Sequence, residues 1–104
     1  MPPVPHRRQR LGNRRNSETI AFIWLGMNYT ATFSRFPNGD LAEIFLTNHK
    51  VGTHADTAAR DSAVIASLAL QHGTPLETLR KALLRDSQGV AGGPVGCALD
   101  LIAA

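Results

Sequence analysis

A chain of 104 residues, 43% hydrophobic and 18% charged, has room for one folded domain with a modest core. Its single cysteine, Cys97, excludes an internal disulfide, a dithiol relay and a four-cysteine zinc site, and points to a reducing, cytoplasmic setting. The formal charge of +3 is unevenly spread: Arg7, Arg8, Arg10, Arg14 and Arg15 lie in an acid-free start, whereas residues 16 to 104 set six basic residues against all eight acids and carry about −2.

Residues 1 to 17 combine three prolines, a glycine and five arginines with little aliphatic bulk. Such a segment cannot bury enough surface to offset its ordering entropy, so a disordered basic tail is expected, followed by one domain over 18 to 104. The arginines run into Asn16-Ser17-Glu18 rather than an apolar stretch, so no signal peptide is legible, and no membrane-spanning segment either.

From Thr19 to Leu25 the chain is β-branched and aromatic; Gly26-Met27-Asn28 reads as a turn, and Tyr29 to Phe36 as a second strand. Asn38-Gly39 suits a tight hairpin and leads into a third strand, Leu41 to Thr47. After a polar corner, residues 55 to 71 read as a helix rich in small residues, with bulk from Val64, Ile65, Leu68 and Leu70 and with Gly73 placed to end it. Thr74, Pro75 and Glu77 carry the pattern of a capping box for a second helix reaching about Arg85, whose Glu77, Arg80, Lys81 and Arg85 form a solvated face. Residues 86 to 94 read as a flexible linker, and Val95 to Ile102 as a short last helix. The expected fold is α+β: a three-stranded antiparallel meander, two main helices and a short C-terminal helix.

The strand ending in Lys50-Val51-Gly52-Thr53, the helix closing on Leu68-Ala69-Leu70-Gln71-His72-Gly73, and Pro75-Leu76-Glu77 opening the next helix together resemble the TSCPD domain. This is the C-terminal module of adenosylcobalamin-dependent ribonucleotide reductases, also found as a stand-alone protein. The resemblance covers roughly residues 18 to 103. It implies a non-catalytic accessory or nucleotide-sensing module connected with deoxyribonucleotide synthesis, with a reductase subunit or a nucleotide as partner. The chain departs from the Thr-Ser-Cys-Pro-Asp segment that names the module. With the aspartate aligned on Asp100, Cys97 stands one residue out of register, and the proline and Thr-Ser pair are absent.

Read from the residues alone, the corner from Asn48 to Asp56 is the candidate nucleotide or anion site. Lys50 supplies a cation, Gly52 permits close backbone approach, and Thr53 can cap a helix start whose N–H groups attract phosphate. A structural strand-to-helix turn is the competing reading. His49, His54, Asp56 and the distant His72 lack convincing ligand spacing, so no metal site and no cofactor are assigned. Gly89, Gly92 and Gly93 are linker glycines with no following lysine, and Cys97 reads as a small buried hydrophobe.

The alternative function is a small nucleic-acid-associated protein using Arg7, Arg8, Arg10, Arg14 and Arg15 as a phosphate-contacting arm or a dock for an acidic partner. A homodimer through the sheet is also expected, because both faces of the first strand are apolar: Ile20, Phe22 and Trp24 on one, Ala21, Ile23 and Leu25 on the other. Tyr29, Phe33, Leu41 and Phe45 would extend the surplus face. In the rival arrangement, the last helix folds over it.

Overall fold

The computed structural model describes residues 7–12 and 16–104. β1 (Ser17–Trp24), β2 (Met27–Arg35) and β3 (Leu41–Asn48) form an antiparallel sheet in the order β1-β2-β3, followed by α1 (His54–Gln71), α2 (Leu76–Ala82) and α3 (Pro94–Ala103). This is the α+β meander with three helices that the patterning predicts. The β1–β2 loop is tighter than expected, since Trp24 pairs directly with Met27 across a two-residue turn of Leu25 and Gly26. Both turn residues have positive φ, 50° and 75°, as a loop matching the strands' right-handed twist requires. The second hairpin closes through Asn38, whose Oδ1 accepts the Asp40 N–H, and Gly39 at φ 94°.

Strand pairing decides the faces. Ile20, Phe22 and Trp24 share one side of the sheet with Tyr29, Ala31, Phe33, Ile44 and Leu46, and this side carries the core. Phe22 stacks on its cross-strand partner Tyr29, with ring centroids 5.6 Å apart. The other side presents Thr19, Ala21, Ile23, Thr30, Thr32, Phe45 and Thr47. Tyr29, Phe33 and Leu41 are therefore buried rather than part of a surplus outer patch; only Phe45 of the expected extension is exposed. The last helix does not cover the outer face either. Ala98, Leu99 and Ile102 of α3 join the same core as α1, so the helices lie on one side of the sheet.

α1 packs through its small residues, as its alanine-rich composition implies. Ala59, Ala63, Ala66 and Leu70 are buried against the sheet, while Val64 and Ile65 are well exposed and Leu68 marginally so. Four small or medium side chains on one stripe let the helix backbone approach β3 closely, which leaves the branched residues on the far face. Gly73 ends the helix at φ 98°.

The second helix is shorter than predicted and lacks the expected capping box. Pro75 itself stands at the N-cap, no side chain caps the helix, and the chain leaves helical geometry at Leu83. Residues 86–93 are a tied turn rather than a loose linker, and Pro94 already belongs to α3. Asp86 Oδ1 accepts the N–H groups of Gln88 and Val90, and Arg85 bridges Ala91 in a short antiparallel contact.

Candidate functional site

The corner after β3 is built around Asp56. Thr53 caps α1, its hydroxyl accepting the Asp56 N–H and donating to the Lys50 carbonyl at 2.7 Å. The Asp56 carboxylate turns back toward the strand: Oδ1 accepts from Asn48 N at 3.0 Å, and Oδ2 from Gly52 N at 3.2 Å and Arg60 Nε at 3.0 Å. Gly52 needs its φ of 80° to present that N–H. Burial acts to raise the Asp56 carboxyl, but the Arg60 and backbone hydrogen bonds outweigh it and hold the group below its ordinary value. The negative charge at the helix start is thus supplied from within the chain. Lys50 is exposed beside this knot, and its backbone N–H goes to Asn48 Oδ1.

The described histidines do not converge. His49 Nε2 contacts Thr30 Oγ1 at 2.8 Å, and His72 Nδ1 contacts the Leu68 carbonyl at the other end of α1. Among the described residues no group of three or more His, Cys, Asp or Glu is placed to hold a metal ion.

Two polar clusters escaped the sequence reading. The first engages the free edge of β3. Ser67 Oγ both accepts from Ile44 N and donates to Ile44 O, each at 2.9 Å, and Gln71 Nε2 donates to Ala42 O. With Asp56 on Asn48 N, three α1 side chains engage Ala42, Ile44 and Asn48 along the edge where a fourth strand would pair. Their spacing, 56, 67 and 71, falls on one helical stripe among the buried alanines, and that polar periodicity was the available signal.

The second cluster binds α2 to α3. Arg80 Nε donates to Asp100 Oδ1 at 2.9 Å, while Arg85 makes a two-pronged contact with both Asp100 oxygens at 2.7 Å and also donates to the Arg80 carbonyl. The expected solvated face is instead half-buried at both arginines, because Asp100 draws them inward. The Arg85 hydrogen bonds, opposed by burial and aided by Arg80, hold the Asp100 carboxyl at about 2. Cys97 lies one turn before it on α3. Burial, with the Asp100 charge adding, pushes this thiol up.

Part of the basic segment is laid on the domain. Gln9 N donates to the Gln71 carbonyl and Arg8 Nε to Gln71 Oε1, at the negative end of α1. Arg10 lines a cleft of about 590 Å³ with Glu18, Phe33, Arg35 and Phe36. Arg7 is exposed, and Arg14 and Arg15 lie outside the described residues.

Comparison with known proteins bears on what these parts serve. The chain is 34% identical over 74 residues to a vitamin B12-dependent ribonucleotide reductase from Agrobacterium fabrum (strain C58 / ATCC 33970). This chain is related to that enzyme. The match takes in 71% of the chain but only 6% of the enzyme, so it concerns a small segment of a much larger protein. No family model matches the chain. No solved structure matches it. Among the described residues, no helix is long and apolar enough to cross a membrane.

Proposed function

We propose that this chain is a non-catalytic accessory domain of deoxyribonucleotide synthesis, a TSCPD-like module that docks on a cobalamin-dependent ribonucleotide reductase. The observation that carries this reading is the 74-residue match to a small segment of such an enzyme. Reduction of a ribonucleotide needs a reducing dithiol, and this chain offers one thiol whose acidity burial suppresses. Its most elaborate polar clusters, on Asp56, Asp100 and the β3 edge, join elements of the fold to one another. Such a domain contributes surface. The test uses the Agrobacterium enzyme with the matching segment deleted and the 104-residue chain added in trans. Binding at micromolar concentration with partial recovery of turnover is expected; absence of binding overturns the reading.

The nucleotide-sensing form of the proposal rests on Lys50, Gly52 and Thr53. It is the weaker form, because the Gly52 N–H and the Thr53 hydroxyl are engaged and the Asp56 carboxylate opposes an incoming phosphate. NMR titration of wild type and Lys50→Ala with dATP, ATP and inorganic phosphate checks it: corner amides that shift in wild type alone support sensing, and none shifting at millimolar ligand removes it.

A second reading, nucleic-acid association through the arm, is favoured by Arg10 and Arg35 sharing one cleft. It requires salt-dependent retention on DNA or RNA that deletion of residues 1 to 16 abolishes.

A further inference from the structure

The sheet has two edges, and the chain treats them differently. β3 is capped at Asn48, Ile44 and Ala42 by the side chains of Asp56, Ser67 and Gln71. β1 has no such cover: among the described residues, nothing hydrogen-bonds to its backbone on the side away from β2. Nor does β1 carry the usual protections of an edge. Its register with β2 is unbroken from Ser17 to Trp24, it contains no proline or lysine, and its one charge is Glu18 near the start. The core layer also stops part-way there. Tyr29, Ala31 and Phe33 on β2 are buried, yet Ile20, Phe22 and Trp24 beside them are only half-buried although they pack on the same core.

We propose that β1 is a strand-pairing interface for a second copy of this chain, joining two three-stranded sheets edge to edge. This stands independently of the reductase reading. What selects a second copy is self-complementarity. An antiparallel two-fold through Ala21, perpendicular to the sheet, sets Ile20 opposite Phe22 of the second copy and Thr19 opposite Ile23, with the smallest side chain at the axis. In that register Glu18 faces Trp24 of the second copy rather than its own equivalent, so no like charges meet. The helices of both copies fall on one side, and the half-buried layer continues across the junction instead of ending in water. The sheet face was the expected dimer surface; the edge is better suited, because four threonines on the outer face dilute its apolar residues.

Sedimentation analysis of the 104-residue chain from low micromolar to near-millimolar concentration tests this. The wild type is expected to double in mass with concentration. Ala21→Lys, at an exposed position where two ammonium groups would meet on the axis, is expected to remain a monomer with an unchanged circular dichroism spectrum. An equal mixture of Ala21→Lys and Ala21→Glu is expected to regain the dimer. Amide exchange on the wild type gives a variant-free check: protection of residues 18 to 24 should rise with concentration. A monomer at every concentration, a dimer indifferent to Ala21→Lys, a dimer broken by Phe45→Glu on the outer face, or exchange protection rising only outside β1 overturns the proposal.

Discussion

Leu25 holds a position that its side chain opposes. Its φ of 50° belongs to the left-handed region, where a Cβ crowds the following carbonyl, and the side chain is 78% exposed and so gains little by burial. Leu25→Asn keeps the turn and removes much of that strain. It should stabilise the domain by about 1 kcal/mol, read as a higher urea midpoint with unchanged slope. Cys97 illustrates the opposite condition, a partly buried residue whose surroundings damp its reactivity. With its thiol pushed up by burial and by Asp100, it should react with iodoacetamide at pH 8 several-fold more slowly than free cysteine, and a folded Cys97→Ser protein should keep any partner binding. Loss of binding at preserved stability would show the thiol to be functional.

The α2–α3 junction depends on one carboxylate shared by two arginines. The Asp100 pKa of about 2, against an ordinary 3.8, means that the folded form favours the ionised group. The associated stability is therefore complete above about pH 4 and is lost as pH falls toward 2. Solvent reaches 29% of the side chain and screens the pairing, so Asp100→Asn should cost about 1–2 kcal/mol at neutral pH and flatten the acid limb of the stability profile between pH 4 and 2. Urea unfolding across that range checks both. This junction shows where sequence reading stops. Strand order, the second hairpin and the end of α1 were legible because local signals set them: the β-branched and aromatic run 19 to 25, Asn38-Gly39, and Gly73. The inward turn of Arg80 and Arg85 was not, since it depends on an aspartate 15 and 20 residues further along that only the fold brings near. The exposure of Val64 and Ile65 follows from the same packing: the close approach of α1 to β3 puts alanine on the buried stripe and leaves the branched residues on the far face. At the corner, the Thr53 cap was legible in the sequence; the return of Asp56 to the strand was visible only in three dimensions.

For the whole molecule, three side chains of α1 engage the edge where a neighbouring strand would otherwise pair, and this limits how far the protein can assemble. A sheet with two live edges can add copies without end, whereas one with a single live edge is used up by its first pairing. If two copies meet through β1, each new outer boundary is a β3 already occupied by Asp56, Ser67 and Gln71. The β3 edge, engaged at three of its four outward residues, then disfavours growth beyond two. Ser67→Ala combined with Gln71→Ala removes two of the three plugs and frees the Ile44 N–H with the Ile44 and Ala42 carbonyls. Such a protein should form concentration-dependent species larger than a dimer, visible by light scattering, and adding Ala21→Lys should shorten those chains. Helix α1 would then be as much a chain terminator as a packing element.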